Sequence, residues 1–296
     1  MVDNSRGFRI VLHAILMILA LFCLLPFLLL FASSFSSEAS LIKYGYSFFP
    51  REFSLSAYEY MFSSSIAILR SYGITILTTA IGTSVNLILT ILLAYPLSRR
   101  DLPHRNLFSF IIFFTMLFNG GLVPTYIMYT QLFHIKNTLF ALIVPQFLIS
   151  AFYVIMMRTY FTTNIPFEII EAAKIDGASE YRTLYQVVLP ISMPILATVG
   201  LMVGLNYWND WTNGLYYLTD PKLFSIQNVL NRMIRDTQFL SQMASSTGQS
   251  SALASNLPTT SLKMAVAAIG ALPILMIYPF FQRFFVQGIT VGAVKG

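Results

Sequence analysis

Long apolar runs separated by short polar stretches dominate this chain of 296 residues. Six runs are long enough to cross a bilayer: about 10–32, 71–98, 107–131, 138–158, 190–213 and 263–285. A helix rises 1.5 Å per residue, so about 20 apolar residues cover a hydrocarbon core roughly 30 Å thick. The pattern predicts an all-α, polytopic membrane protein with six transmembrane helices. Ile10 to Phe31 alone gives 22 residues, beyond the roughly 7–15 of a signal-peptide core, so this run is expected to be a retained helix. The second run carries Thr75, Thr78, Thr79, Thr83, Ser84, Asn86 and Thr90, small and hydroxylated residues that favour close helix packing over lipid contact. In the third, Asn119-Gly120-Gly121-Leu122-Val123-Pro124 should kink or interrupt the helix. Such a break is tolerated at membrane depth only where protein or a water-filled cavity surrounds it.

Composition agrees with this pattern. Only 10% of residues are charged and 56% are hydrophobic, whereas a soluble domain carries roughly a quarter charged residues. The net charge of +6 therefore speaks to orientation rather than to nucleic acid. With the N-terminus inside, Arg6, Arg9, Arg99, Arg100, Arg105, Arg158, Lys174, Arg182, Arg283 and Lys295 fall on the cytoplasmic side. Lys43, Arg51, Lys136, Lys222, Arg232 and Arg235 fall outside, and Arg70 and Lys263 lie at the boundary. The excess of cationic residues inside puts both termini in the cytoplasm. Two outer loops follow, 33–69 and 214–262. The first, with its Tyr, Phe and Pro, reads as an ordered cover. In the second, Ser241 to Ser255 is rich in Ser, Ala and Gln and reads as mobile.

No catalytic chemistry is visible. The one cysteine, Cys23, lies inside the first run, and His13, His104 and His134 have no metal-ligand spacing. No phosphate-binding G-x-x-x-x-G-K-[ST] loop is present. An ion-coupled transporter would be expected to show paired intramembrane acids and repeated halves, and neither is found. An intramembrane protease would need a nucleophile with partners, and His13 has no such context.

The most informative segment is 164–190, a charged stretch between two apolar runs. Asn164 is suited to cap a helix whose first turn holds Pro166 and Glu168. Gly177 supplies a left-handed stop. Ser179 caps a second short helix with Glu180 in its first turn, ending before Leu189-Pro190. Two short helices at an angle make a knob, and Ala172 and Ala173 keep its surface low. Glu171 offers a charge to an arginine across an interface. An amphipathic helix lying on anionic lipid would carry a cationic face. Here Lys174 and Arg182 are outnumbered by Glu168, Glu171, Asp176 and Glu180.

Glu171-Ala172-Ala173, then Gly177, then Val187 with Leu189-Pro190, is similar to the signature of ATP-binding-cassette importer permeases. Val187 stands where that family usually has Ile. Pro190 to Thr198, the Trp-Asn-acidic stretch Asn206 to Trp211, and the ending Pro279 to Gly296 resemble carbohydrate permeases of the maltose type, which depend on a binding protein. Gly120-Gly121-Leu122-Val123-Pro124-Thr125 looks like importers of uronate-containing oligosaccharides. The resemblance implies one permease domain over 1–296 in the bacterial inner membrane, forming half of a translocation path. It implies coupling to an ATPase dimer, whose subunits would bind the ATP and Mg, through Glu171, Ala172, Ala173, Asp176, Gly177, Leu189 and Pro190. Its further partners would be a second, different permease subunit, an extracytoplasmic solute-binding protein reached by the 214–262 loop, an oligosaccharide, and membrane lipid.

Asn206, Tyr207, Trp208, Asn209, Asp210 and Trp211 form the candidate substrate path. Aromatic faces with amide and carboxylate groups suit stacking and hydrogen bonding to a sugar. An interfacial aromatic belt accounts for the two tryptophans but not for the polar residues between them. Asn86, at mid-span, reads either as helix glue or as a substrate ligand.

Overall fold

The computed structural model describes residues 6–62, 65–145, 147–246 and 259–293. Among them the regular structure is helical, with one isolated antiparallel bridge between Ser36 and Phe53. The chain forms two compact units, Met1–Ile68 with Leu230–Pro273, and Leu69–Val229 with Ile274–Gly296.

In the first unit, α1 (Arg6–Ser34) is the longest uninterrupted apolar stretch. The segment after it contains two short helices. α2 (Glu38–Tyr44) is capped by the Ser37 hydroxyl, which accepts from the Ser40 N–H, and α3 (Ser56–Phe62) follows. Phe35 stacks on both Phe53 and Tyr58. Glu38 is buried, and its carboxylate receives the backbone N–H groups of Thr260 and Ser261 at 2.7–3.0 Å and the Ser261 hydroxyl at 2.9 Å. Glu38 thus satisfies the open N–H groups at the start of the last long helix, Thr259–Ala293, from 222 residues away in sequence.

The second unit centres on α4 (Ser65–Ser98) from Leu69 onward. Thr75, Thr78, Asn86 and Thr90 are buried, and Asn86 donates to the Phe147 carbonyl at 2.6 Å while accepting from Thr90 at 3.2 Å. Asn86 thus ties α4 to the turn at Phe147. Gly82 sits against the ring of Tyr207, with no room for a Cβ.

Among the described residues three helices are long and apolar enough to cross a membrane: Gly7–Ser34, Ala67–Ser98 and Thr260–Phe280. Two bent helix pairs reach that length and hydropathy only when taken together, as a broken span or a re-entrant loop would. α5 (Arg105–Leu117) meets α6 (Leu122–Ile127), with its π-turn to Leu132, at 108°. The break falls at the Asn-Gly-Gly sequence, where Gly121 has φ +85°. The expected fourth helix, 138–158, is not one element. α7 (Phe140–Ile143) stops before Pro145, and α8 (Ala151–Asn164) starts only after an extended Ser150. Val144 keeps α-region angles (φ −80°, ψ −49°), but Pro145 lacks the N–H that a helix interior needs.

The expectation for 214–262 is corrected in part. Instead of a loop, α13 (Thr212–Tyr217), a 3₁₀ turn (Pro221–Leu223) and a 21-residue α14 (Ile226–Ser246) occupy most of it. Ile226, Leu230 and Thr237 are buried at helical spacing along α14. Residues 247–255 of the stretch read as mobile, and Lys295, lie outside the described residues.

Candidate functional site

The knob begins where α8 ends. Asn164 does not cap the following helix: α8 runs through it, and its amide bonds back to the Tyr160 carbonyl and the Thr163 hydroxyl. Ile165 is extended, as a residue before proline tends to be, and Pro166 takes the cap position of α9 (Phe167–Ile175). The far end follows the sequence. Gly177 has φ +77°, its N–H bonds the Lys174 carbonyl at 3.0 Å, and the Ala178 N–H bonds the Ala173 carbonyl at 2.9 Å. This is a Schellman-type stop, which needs a residue without a Cβ. Ser179 then caps α10 (Glu180–Thr183) by accepting from the Arg182 N–H.

The second helix does not end before Leu189-Pro190. It continues through a π-turn (Leu184–Val188) into α11 (Leu189–Ile191). Pro190 has no N–H to return to the helix, and a widened turn absorbs that loss. An 83° bend follows, and α12 (Met193–Trp208) begins.

Ile170, Leu184 and Val188 anchor the knob in an apolar cluster with Ala94, Tyr95 and Leu97 of α4 and Val154, Met157 and Phe161 of α8. Its outer surface is open. Glu171, Ala172, Asp176, Gly177 and Pro190 are exposed, and Ala173 and Leu189 are half-buried. Ile175 is 86% exposed, Tyr181 79% and Tyr185 74%. Large side chains this exposed on charged helices are characteristic of interaction sites, and sequence reading did not single these three out.

Also missed was a charge cluster beneath the knob. Arg99 forks onto Asp101 with both bonds at 3.2 Å. Lys174 reaches Asp101 at 3.2 Å and Glu180 at 2.9 Å, and Arg99 lies 3.8 Å from Glu180. The Tyr95 hydroxyl donates to the other Glu180 oxygen at 2.8 Å. The Arg99 guanidinium holds Asp101 down at about 2, Lys174 holds Glu180 below the usual range, and Glu180 raises Lys174. Asp101 and Arg99 come from the 99–105 loop, which the sequence marked only by its positive charge. No short-range pattern signals that Glu180 will fold over it.

The candidate path residues separate. Tyr207 is buried with its hydroxyl on the Ile143 carbonyl at 2.8 Å. Asp210 is buried, and one of its oxygens accepts from the Thr212 N–H, the Thr212 hydroxyl and the Asn213 N–H, which caps α13. Asn206 is exposed, bonds the Tyr153 hydroxyl at 3.0 Å, and lines a pocket of about 270 Å³ with Phe147, Phe152 and Tyr153. Trp208 is buried but lines a second pocket of about 400 Å³ with Thr83, Gly204 and Tyr278. Asn209 is exposed and Trp211 half-buried. Among the described residues no group of His, Cys, Asp or Glu is arranged to hold a metal.

Helices long and apolar enough to cross a bilayer, at least three among the described residues, define an all-α, multi-pass membrane protein. The chain belongs to the family of binding-protein-dependent transport system inner membrane components, whose profile matches residues 86–291. It is therefore an ABC-type permease subunit. It is 36% identical over 293 residues to the polygalacturonan/rhamnogalacturonan transport system permease protein YtcP of Bacillus subtilis, covering 99% of this chain and 100% of that one. It is 39% identical to the protein LplC of the same organism, covering 92% and 90%. Its structure is also similar to one in the crystal structure of a bacterial ABC transporter involved in the import of the acidic polysaccharide alginate. That likeness has a TM-score of 0.76 at 29% identity and covers 96% of this chain and 100% of that one.

Proposed function

We propose that this chain is half of the translocation path of an ATP-driven importer of acidic, uronate-containing oligosaccharides, and that residues 164–190 dock it onto an ATPase subunit. The observation that carries the docking half is the knob: an ordered helix pair turned at Gly177, anchored underneath by apolar contacts, with Ile175, Tyr181 and Tyr185 left uncovered. Glu171, Ala172, Ala173, Asp176, Gly177, Leu189 and Pro190 form its contact set. The substrate class is supported by the names of relatives, one transporting polygalacturonan and rhamnogalacturonan, another involved in alginate import.

In this reading six crossings, counting interrupted ones, place both termini in the cytoplasm of a bacterium whose inner membrane holds the complex. A second, different permease of the maltose type completes the path. ATP closes the ATPase dimer, and the knobs convert that closure into movement of the membrane halves. A solute-binding protein delivers the sugar on the outer side, against α14 and its flanks. Asn206 and Trp208 are the path residues the pockets favour, while Asp210 serves mainly to cap α13.

The test is co-purification of the ATPase with the permease, together with uptake of labelled oligogalacturonate. Gly177→Val forces a branched side chain to φ +77°, and Glu171→Lys reverses the surface charge. Both variants should insert in the membrane, lose the ATPase on purification and lose uptake. Full ATPase retention and uptake in both would overturn the docking assignment.

A further inference from the structure

We propose that Lys174 and Glu180, with Arg99, Asp101 and Tyr95, form a strut that transmits knob movement to α4, so that they are positioning residues for transport rather than docking residues. The inference rests on the docking reading above.

Besides the Phe167 ring, which lies under Arg99 and Arg100 at 5.8 and 5.9 Å, two attachments tie the knob to α4 and the loop after it among the described residues. One is the apolar cluster of Ile170, Leu184 and Val188 against Ala94, Tyr95 and Leu97. Apolar contact is strong but non-directional, so it holds the knob close without fixing its angle. The other attachment is directional. Glu180 sits at the start of the knob's second helix and Lys174 near the end of its first, on either side of the Gly177 turn. Both converge on the cytoplasmic-side end of α4 and the loop after it: Lys174 on Asp101, and Glu180 on Tyr95 and Arg99. Lys174 and Glu180 also pair with each other at 2.9 Å, which closes the turn. The two knob helices and α4 therefore share one network of alternating charges. Arg99 is nearly covered at 7%, whereas Lys174, Glu180 and Asp101 are 39%, 52% and 57% exposed. Exposed pairs of this kind add little to stability, so setting orientation is the role this geometry leaves.

Removing the strut should leave most of the docking surface in place, because Glu171, Ile175 and Tyr185 take no part in the network, whereas Tyr181 lines one cavity with Tyr95, Arg99, Asp101 and Glu180. The complex should assemble and hydrolyse ATP, but closure of the ATPase should tilt the knob instead of moving α4. Lys174→Met and Glu180→Gln are each expected to lower oligogalacturonate taken up per ATP hydrolysed by roughly fivefold, the lower end of typical coupling between sites. Lys174→Arg, which keeps the charge and reach, should restore the ratio, a recovery that a folding defect would not select for.

The measurement is made in proteoliposomes holding the full complex, with the binding protein present. An unchanged uptake-to-ATP ratio in both neutral variants, with the ATPase bound, overturns the strut. So does a parallel loss of the ATPase and of both activities, since that would make these residues part of docking. If no ATPase purifies with the parental chain, the docking reading itself has failed, and the strut falls with it.

Discussion

Single residues in this protein act mostly by completing someone else's backbone. Glu38 is the strongest case. Burial favours its neutral form, yet the N–H groups of Ser261 and Thr260 outweigh that and hold its carboxyl below the ordinary 4.5. A lowered folded value means that its stabilisation is present above pH 4.5 and is lost as pH falls through the lowered value. Glu38→Gln should cost about 1.5–3 kcal/mol near neutrality, the range for bonds to a charged group. Thermal unfolding of the purified protein should show a gap between parent and variant that is flat at neutral pH and closes only in acid. A gap that stays constant down to pH 3 would mean that the charge is irrelevant. Gly177 and Ser179 belong to the same scale, and both roles are legible in the sequence because caps and stops depend on immediate neighbours. The capping partners of Glu38 are not, since they lie 222 residues away.

At the scale of elements, the packing of α4 against α12 depends on the absence of a side chain at Gly82. A Cβ there would fall on the Tyr207 ring, and that ring is fixed by its hydroxyl bond to Ile143. Gly82→Ala should destabilise by about 1–3 kcal/mol, the usual cost of overpacking. Gly200→Ala provides the contrast. Its Cβ would lie 3.3 Å from a Leu87 methyl at the end of a flexible chain, so it should cost well under that. Equal melting temperatures for the two variants would show that the close approach at Gly82 carries no weight. The threonine-rich face of α4 announced close packing in the sequence, but its contacts did not. Likewise α14 carries a legible helical period, overlooked beside the length and polarity of its surroundings.

For the whole molecule, orientation is the property with the sharpest test. In a Cys23→Ser background, a cysteine at Tyr181 should react with a membrane-impermeant thiol reagent only when the cytoplasmic face is open. A cysteine at Tyr46, in the segment between α2 and α3, should react from outside; both side chains are exposed. Labelling of position 181 in intact cells would overturn the orientation and the docking proposal together.

An all-α, multi-pass membrane protein, most of its apolar segments, the break at Gly121 and the stop at Gly177 are all legible in the order of residues along the chain. Those features follow from hydropathy and from backbone preferences that act within a few residues. The interruption of the fourth apolar run, the inward turn of Tyr207 and Asp210, and the closing of Lys174 and Glu180 over Arg99 and Asp101 emerge only once the chain is folded. Hydropathy counts apolar residues without sensing that a proline divides them, and a polar side chain does not reveal in sequence which distant donor will cover it.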